Sequence, residues 1–345
     1  MLNHIKINHT SRKPKYQQIV DSIVENIASD NFKIDERLPS INKLSEEFNL
    51  SRDTVEKAYN LLKEQKVIVS FKGKGNFVNR TSLIAKTNIL FLINKLSNYK
   101  MTVYNSFVAH AGVKAYVDLQ IYHCDEGLFL NLLNKNIGSY DYYIVMPHFK
   151  TDSLNHISTT PDVEKALSQI SKDRLVLLDN KGPSEDLFLQ IYQDFEEDIY
   201  TALNEGIDKI LAYNKLVLVY PEKSVYPYPK RILHGFRKFC VQHHLDYEIY
   251  DEIYDEMILK KGDAFIVIEE NDLVNLLKIM REKDFVLGKE IGIISYNETP
   301  LKELLGITVI STNFIKMGQH AAERILNKKG GNFKNEFNFI DRNSI

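Results

Sequence analysis

Three stretches in the first eighty residues carry apolar side chains at helical spacing. The first begins after Pro14, a favoured residue at a helix start, and its apolar face comprises Tyr16, Ile19, Val20, Ile23, Val24 and Ile27. Ser40 and Ser51 are suited to cap a second and a third helix, because a serine hydroxyl can accept a hydrogen bond from the first helical amides. Only a few residues separate these two helices, which is the spacing of a helix-turn-helix motif.

A β-hairpin is predicted directly after the third helix. Residues 67–71 are rich in residues that favour strands, and residues 76–78 can return as a second strand. The intervening Lys72-Gly73-Lys74-Gly75 supplies the glycines of a tight turn and two lysines that can reach DNA phosphates. An ordinary charged hairpin tip would have the same composition. After a helix-turn-helix, this order of elements favours the wing of a winged helix.

From residue 86 onward, short runs rich in Val and Ile alternate with helical stretches. We predict helices over residues 103–117, 127–137, 230–243 and 271–283. We predict strands over residues 88–93, 119–123, 142–146, 175–178, 216–220, 247–250, 264–268, 292–295 and 308–310. This alternation is typical of parallel sheets covered by helices on both faces, and the number of units favours two lobes that share a cleft. Ligands of such folds bind beyond the carboxyl ends of the strands.

Length and composition limit the class of protein. With 345 residues, of which 44% are hydrophobic and 26% charged, the chain is an ordinary globular sequence. Its two cysteines cannot build a disulfide framework and no leader-like segment opens the sequence, so we expect a cytoplasmic protein. The apolar runs fall far short of the roughly 20 residues that span a bilayer, which argues against a membrane protein.

The net charge of −2 conceals an uneven distribution along the chain. Residues 1–80 contain 14 Lys and Arg against 10 Asp and Glu, whereas the remaining residues contain 30 against 36. The basic segment suggests a polyanionic partner. Arg52 lies in the first turn of the third helix, where a cation is unfavourable unless a negative group faces it. It can form a surface pair with Asp53 or Glu56, or reach a guanine or a phosphate in the major groove.

The segment from residue 14 to residue 78 resembles the GntR family of winged-helix regulators, through the motifs PKYQQI, RLPS, LSRDTV and GKGNFV. The resemblance implies a homodimer that binds a near-palindromic operator in double-stranded DNA. The DNA-binding residues that we expect are Ser40, Asn42, Arg52, Asp53, Thr54, Lys57, Lys72, Gly73, Lys74 and Gly75. Family members usually carry Arg at the position of Asn42, and often at that of Glu56, so the base preference is not transferred.

The rest of the chain resembles the effector domain of the lactose-repressor family, which is similar to periplasmic sugar-binding proteins. The resemblance lies in TNILFLINKLSN, LVLLDNKG, KRILHGFRKF, IVIEENDLVNLL, IGIISYNETP and ITVISTNFIKMGQHAAERIL. It implies a small-molecule effector, of sugar type, held in the cleft. The implied effector-binding residues are Asn94, His148, Asp179, Asp194, Arg231, Asn271, Asn297 and Phe314.

Several of these residues also have a purely structural interpretation. Asp179 and Asp194 are suited to helix caps or turns, Arg231 to the surface, and Phe314 to a core. The family often carries Asp where this chain has Asn297, which preserves hydrogen bonding but removes a charge. We therefore expect the favoured ligand to differ from those of the family.

No catalytic or metal-binding motif stands out. Cys240, His243 and His244 are close in sequence but lack a third or fourth ligand at zinc-like spacing. The sequence also contains no nucleophile elbow, phosphate-binding loop or metalloprotease motif. We therefore expect no enzyme, no metal and no cofactor.

The expected architecture has an N-terminal winged helix-turn-helix domain of α+β class in residues 1–80. A two-lobed, periplasmic-binding-protein-like α/β domain with parallel sheets follows in residues 81–345, for effector binding and dimerisation. The expected function is a transcriptional regulator, in the form of a repressor controlled by a monosaccharide such as L-fucose or L-arabinose. Two alternatives stay open: a GntR-type regulator of a non-sugar metabolite, and a regulator fused to an enzyme-like domain such as a pyridoxal-phosphate aminotransferase.

Overall fold

The computed structural model describes residues 1–8, 11, 13–29, 31–65, 67–79, 86–182, 186–222 and 224–345. The chain divides into two compact units, Met1–Lys86 and Thr87–Ile345, which we call the head and the body. The predicted boundary between residues 80 and 81 falls outside the described residues. Among the helices that the structure describes, none has both the length and the apolarity needed to cross a membrane.

Over its described residues, the head forms three α-helices and a two-stranded hairpin, as its hydrophobic pattern predicts. Its elements are α1 (Lys15–Ala28), α2 (Ile41–Glu47), α3 (Arg52–Glu64), β1 (Ile68–Phe71) and β2 (Gly75–Val78), after a short 3-10 turn at Leu2–His4. Pro14 precedes α1 at the N-cap position, and Asn49 adopts the left-handed conformation that ends α2. Apolar residues of all three helices and the hairpin form one buried core, including Ile19, Leu44 and Tyr59. The winged helix-turn-helix fold is thereby confirmed.

The body begins with a series of strands and helices that forms a first lobe. These elements are β3 (Thr87–Ile93), α4 (Asn98–Ala111), β4 (Ala115–Ile121), α5 (Glu126–Asn136), β5 (Tyr142–Val145), β6 (Phe149–Lys150), β7 (His156–Ile157), α6 (Pro161–Leu167), β8 (Leu175–Asp179) and β9 (Leu189–Tyr192). The chain then enters a second lobe with α7 (Phe195–Glu205), α8 (Ile207–Ile210), β10 (Lys215–Val219), α9 (Arg231–Gln242), β11 (Tyr247–Tyr250), β12 (Asp263–Val267), α10 (Glu270–Glu282), β13 (Ile291–Tyr296), α11 (Pro300–Leu304) and β14 (Thr308–Thr312).

The chain crosses between the lobes twice more near its end. Helix α12 (Phe314–Leu326) and strand β15 (Gly331–Lys334) belong to the first lobe, and β16 (Phe337–Ile340) belongs to the second. The strand orders are β15-β9-β8-β5-β3-β4 in the first lobe and β11-β10-β12-β13-β14-β16 in the second. All these pairings are parallel except that of β14 with β16. The predicted two-lobed α/β fold with parallel sheets is confirmed.

Each sheet is buried on both faces, which explains the continuous apolar runs in its strands. In β3, Phe91 packs in the core that includes Phe107 of α4, whereas Leu92 faces the opposite core with Phe129 of α5. Close packing between α4 and α12 depends on Gly318, since a Cβ there would stand only 2.3 Å from the carbonyl oxygen of Val103. The continuous apolar runs in the strands therefore indicate that both faces of each sheet are buried.

One predicted boundary in the first lobe is wrong. We expected a helix over residues 103–117, but α4 ends at Ala111 and residues 115–121 form β4. Gly112 follows α4 with a positive φ of 54°, which ends the helix. The apolar residues after it suit either element, and pairing with β3 selects the strand.

Candidate functional site

The start of α3 presents an unpaired arginine to solvent. Ser51 caps the helix, with its Oγ accepting a hydrogen bond from the Thr54 amide at 3.2 Å, and the two hydroxyls lie 2.7 Å apart. Arg52 is exposed and forms no ion pair with Asp53, Glu56 or any other residue that the structure describes. Its guanidinium is therefore free to bind a ligand outside the chain.

The hairpin between β1 and β2 carries two exposed lysines on a tight turn. Gly73 and Gly75 have φ values of 76° and 104°, so both need the freedom of glycine, and Lys72 and Lys74 flank Gly73 in solvent. The side chain of Arg37, a residue outside the predicted DNA-binding set, lies against this turn. A Cβ at Gly75 would stand 3.1 Å from Arg37 Nε. The hairpin thus places three basic side chains together.

The remaining predicted DNA-binding residues lie on the two helices. Ser40 caps α2 by accepting from the Lys43 amide at 3.2 Å, and Asn42 and Asp53 are exposed. Lys57 lies over the Tyr16 ring, with Nζ 4.2 Å from the ring centroid. The Ser40 side chain therefore has a structural role, whereas Asn42 and Asp53 are accessible to a ligand.

A cleft cavity of about 440 Å³ lies between the two lobes, beyond the carboxyl ends of β3, β12 and β13. From the first lobe it is lined by Lys95, Leu96, Ser97, Asn98 and Tyr99. From the second lobe it is lined by Tyr228, Ile268, Glu269, Glu270, Asn271, Tyr296, Asn297, Glu298, Thr299 and Lys302. This is the location that parallel-sheet topology predicts for a ligand.

Four buried polar atoms of the residues that line this cavity have no hydrogen-bond partner in the part of the chain that the structure describes. They are Ser97 Oγ, Tyr296 Oη, Asn297 Oδ1 and Glu298 Oε1. Tyr296 is only 3% exposed, and its hydroxyl has no partner among the described residues. Leaving such a group unsatisfied costs about 1–3 kcal/mol. The residues that line the cavity therefore hold hydrogen-bonding capacity that the described residues do not use.

The two lysines that line the cavity make different contacts. Lys302 is almost fully buried and donates to the carbonyl oxygens of Tyr296 and Asn297, at 2.8 Å each. Burial lowers the pKa of Lys302 to about 8, although Glu270 and Glu298 oppose that shift. Lys302 thus fixes the end of β13, where the chain turns through a positive φ of 65° at Asn297.

The second lysine takes part in contacts that join the lobes across the cavity. Lys95 Nζ lies 5.1 Å from the ring centroids of both Tyr226 and Tyr228. Burial lowers the pKa of Lys95, against the influence of Glu269. Asn98 Nδ2 of the first lobe also donates to the Glu270 carboxylate of the second, at 3.1 and 3.2 Å. A change in the cavity can therefore alter the relation between the lobes.

Three predicted effector-binding residues lie instead in a buried polar cluster of the first lobe, which comprises Asn94, Lys100, His148, Asp179 and Gln193. His148 Nε2 donates to Asp179 Oδ2 at 2.6 Å, and Gln193 Nε2 donates to Asp179 Oδ1. Lys100 Nζ donates to Asn94 Oδ1 and lies 3.9 Å from the Asp179 carboxylate. None of the five lines the cleft cavity.

The charged and polar groups of the buried polar cluster pair with one another. Burial by itself would raise the pKa of Asp179, but His148, Lys100 and the hydrogen bond from Gln193 lower it well below its ordinary value. Burial and the nearby Lys100 lower the pKa of His148 to about 4, so the ring is neutral and its Nδ1 accepts from His156 Nε2 at 2.8 Å. The structure thus brings Asn94, His148 and Asp179 together in this cluster and not in the lining of the cleft cavity, and their contact with an effector stays a prediction.

Three further predicted effector-binding residues lie outside the lining of the cleft cavity. Arg231 and Asp194 form an ion pair with each other at 2.6 Å, and Asp194 also caps α7, so neither side chain lines the cavity. Phe314 packs in the first-lobe core, with its ring 4.7 Å from that of Tyr99. Asn271 and Asn297 alone of the eight predicted residues line the cleft cavity.

The sequence pattern does not predict most of the residues that line the cavity. Glu298 immediately follows Asn297, and Ser97 lies just beyond β3, so a wider window after each strand would have included both. Tyr228 lies in the loop after β10, where no hydrophobic period or motif marks it. Lys302 lies in α11, whose leucines face solvent while the lysine is buried, which reverses the usual pattern.

Comparison with known proteins supports both parts of the molecule. Residues 15–78 match the family model of bacterial regulatory proteins of the gntR family. The chain is 42% identical over 66 residues to the mannosyl-D-glycerate transport/metabolism system repressor of Escherichia coli K12, covering 19% of this chain and 28% of that relative. It is 36% identical over 67 residues to the arabinose metabolism transcriptional repressor of Geobacillus stearothermophilus, covering 19% and 18%. Less than a third of either relative is therefore matched.

The fold extends the likeness beyond the head. The Lac repressor bound to ONPG in its repressed state superimposes with a TM-score of 0.60 at 14% identity, covering 86% of this chain and 92% of that one. At this identity the likeness concerns the fold alone. The chain thus carries a GntR-family helix-turn-helix domain, followed by a domain with the two-lobed fold of lactose-repressor effector domains.

Proposed function

We propose that this protein is a transcriptional repressor that binds a near-palindromic operator as a homodimer and is controlled by a sugar. The head supplies the DNA-binding surface, and the cleft cavity of the body supplies the effector site. L-fucose and L-arabinose are the effectors that we would test first. The proposal assigns the protein no catalytic activity.

The unpartnered polar atoms of the cleft cavity carry the effector half of this proposal. Ser97, Tyr296, Asn297 and Glu298 each leave a buried oxygen unsatisfied in one space between the lobes. A polyhydroxylated ligand supplies hydroxyls that donate and accept, and the tyrosine rings of the lining offer apolar faces for a sugar ring. The matched relatives are named as repressors of mannosyl-D-glycerate and arabinose systems, which favours the same ligand class.

The free guanidinium of Arg52 supports the DNA half. It stands in the first turn of α3, where the early residues of a recognition helix reach base edges. Lys72, Lys74 and Arg37 add basic groups at the hairpin, which suits contacts with phosphates. The match of residues 15–78 to a family of bacterial regulators agrees with this assignment.

A thermal-shift screen tests the effector half. The full-length chain is heated with L-arabinose, L-fucose and other monosaccharides, and with nucleosides and amino acids as competing classes. A sugar at 100 times its Kd should stabilise the protein by about 2.7 kcal/mol. Asn297→Ala should abolish that shift, and Arg231→Ala, which lies outside the cavity, should preserve it. A response to nucleosides or amino acids alone would overturn the sugar assignment.

Selection from fragmented genomic DNA tests the other half. The full-length protein should retain a small set of fragments at moderate salt, and Arg52→Ala should weaken binding to them by about 1–3 kcal/mol per half-site if it reads a base. Lys63→Ala, near the other end of α3, is the matched control and should change the affinity little. Equal binding by the Arg52 variant would contradict the recognition-helix assignment.

A further inference from the structure

The hairpin of the head has one face toward the core and one toward solvent. Ile68 of β1 and Val78 of β2 are buried in the head core. Because side chains alternate along a strand, Val69, Phe71 and Phe77 lie on the opposite face. Phe71 is 51% exposed, so this outer face presents an aromatic ring to solvent.

The hairpin itself holds the Phe71 ring in place. The ring meets that of Phe77 edge to face, with the centroids 5.5 Å apart and an interplanar angle of 70°. Phe71 is also the last residue of β1, directly before the turn, so its ring stands near the tip of the hairpin. A side chain that is already fixed loses little conformational freedom when a ligand covers it. The contact with Phe77 therefore prepares Phe71 for binding.

Three basic residues flank Phe71 in the hairpin. Lys72 follows it directly, and the Lys74 amide donates to the Phe71 carbonyl at 3.0 Å across the turn. Gly75 lies opposite Phe71 on the same face, and a Cβ there would stand 3.1 Å from Arg37 Nε, so glycine leaves room for the arginine. Arg37, Lys72 and Lys74 are exposed and form no ion pair with a residue that the structure describes. Their charges are therefore free to bind an anion outside the chain.

An apolar ring among free cations matches the chemistry of a DNA minor groove. The walls of that groove are deoxyribose sugars, which lie between two rows of phosphates. Proteins that bind minor grooves combine Arg and Lys with apolar side chains such as Phe. The cores of protein–protein interfaces are instead depleted of lysine, so the two lysines beside Phe71 favour DNA over a protein surface.

We propose that Phe71 packs against deoxyribose sugars in the minor groove beside each operator half-site, while Arg37, Lys72 and Lys74 bind the phosphates on either side. This inference rests on the proposed operator binding and adds to it a contact that carries no charge. Packing of a ring against sugars releases no counterions, so its contribution to affinity is independent of salt. The three basic residues supply the salt-dependent part at the same place.

The salt dependence of operator affinity separates the two kinds of contact. The affinity of the full-length protein for a fragment retained in the genomic selection is measured by fluorescence anisotropy between about 50 and 200 mM salt. Phe71→Ala should weaken binding about tenfold at every salt concentration, because it removes apolar burial and leaves the slope of log affinity against log salt unchanged. Lys72→Ala should instead reduce that slope by about 1 per half-site.

The same measurement tests whether Phe71 acts only through the shape of the hairpin. If the ring merely held the turn in place, its removal would displace Lys72 and Lys74 from the phosphates. The slope would then fall together with the affinity, as it does for Lys72→Ala. An unchanged slope therefore indicates a direct contact of the ring with DNA.

Ile34 provides the matched control. It is a large apolar residue of the head with a similar exposure of 56%, but it lies beside the far end of the hairpin, where the Asp35 amide donates to the Val78 carbonyl at 3.0 Å. Ile34→Ala should leave both the operator affinity and its salt slope equal to those of the original protein.

Hydroxyl-radical cleavage locates the contact on the DNA, because these radicals attack exposed deoxyribose. The original protein should protect sugars across the minor groove beside each half-site. Phe71→Ala, added at a concentration that saturates the fragment, should lose this protection while the sugars beside the recognition helix stay protected.

The possible failures are distinguishable. Unchanged affinity in Phe71→Ala, or a slope that falls as in Lys72→Ala, would overturn the sugar contact and leave operator binding intact. A weaker homodimer or a lost effector response in Phe71→Ala, with unchanged operator affinity, would place the ring against protein and also overturn it. If the original protein retains no genomic fragment, the proposed operator binding falls and this inference falls with it.

Discussion

Both lobes of the body place polar side chains at the carboxyl ends of their strands, but they use them differently. In the first lobe, Asp179 ends β8 and is surrounded by donors from His148, Gln193 and Lys100. In the second lobe, Tyr296 ends β13 and its buried hydroxyl has no partner among the residues that the structure describes. Both residues are almost fully buried, so exposure does not distinguish them.

The difference lies in whether the protein satisfies its own polar groups. A satisfied network stabilises and orders a fold, whereas an unsatisfied buried group lowers stability until a ligand binds it. Tyr99 connects the two regions, since it lines the cleft cavity while its hydroxyl donates to Asp179 Oδ2 at 3.3 Å. The buried polar cluster therefore supports the cavity wall from behind, and the second lobe supplies most of the open hydrogen bonds. Four predictions test this contrast.

The largest expected effect follows from removing the central carboxylate of the buried polar cluster. Asp179→Ala leaves Lys100 buried without its counter-ion and deprives His148 and Gln193 of their acceptor. The free energy of unfolding should fall by about 3–5 kcal/mol, measured by urea denaturation. Asp152→Ala, at an exposed loop position, should change it by less than about 0.5 kcal/mol. A loss below about 1 kcal/mol for Asp179→Ala would contradict the cluster's structural role.

Lowering the pH should reduce the free energy of unfolding through the histidines in and beside the same cluster. Burial and Lys100 lower the pKa of His148 to about 4, below the ordinary histidine value of about 6.5. As the pH falls through this window, the unfolded chain takes up a proton before the folded one, so stability present above pH 6.5 is lost progressively toward pH 4. His156 shifts in the same direction through burial and its neighbour His148. Urea denaturation at pH 7, 6 and 5 should show a loss of about 1–3 kcal/mol, and a constant stability would contradict this interpretation.

Two tyrosine hydroxyls provide a matched comparison between the lobes. Tyr122 Oη donates to the Met146 carbonyl at 2.7 Å and accepts from the His148 amide at 2.8 Å, whereas Tyr296 Oη has no partner. Tyr122→Phe should lower the free energy of unfolding by about 1–3 kcal/mol, since it leaves a buried carbonyl and amide unsatisfied. Tyr296→Phe should leave it unchanged or slightly higher, but should weaken effector binding. Equal losses of stability in the two variants would contradict the expected difference between a hydrogen-bonded and an unpartnered hydroxyl.

The smallest effect is expected outside both regions. Arg231 and Asp194 form an exposed ion pair, so Arg231→Ala should lower the free energy of unfolding by less than about 1 kcal/mol. Because Arg231 does not line the cleft cavity, effector affinity should also stay within a factor of two. A large loss of effector affinity in this variant, measured by calorimetry, would instead support the contact between Arg231 and the effector that the sequence suggested.

The head was predicted more completely than the body because its signals are local. The cap at Ser51, the left-handed Asn49 and the glycines of the hairpin act on residues within a few positions of themselves. In the body, the apolar runs miss the two-residue strands β6 and β7, and they predict most strands of the two large sheets but not β9, β15 or β16. These short strands form where distant segments complete a sheet, as β15 does beside β9, and no local period marks them.

The amino-acid sequence by itself determined where most helices and strands lie and on which edge of the sheets a ligand would bind, because spacing and strand direction are properties of the chain. Only the tertiary structure decided which polar side chains face that ligand. His148 and Asp179 are 31 positions apart, and Thr312 reaches Gln193 across 119 positions. Whether a buried oxygen receives a hydrogen bond depends on residues that are distant in sequence. The spacing of residues along the chain does not predict which of them come into contact.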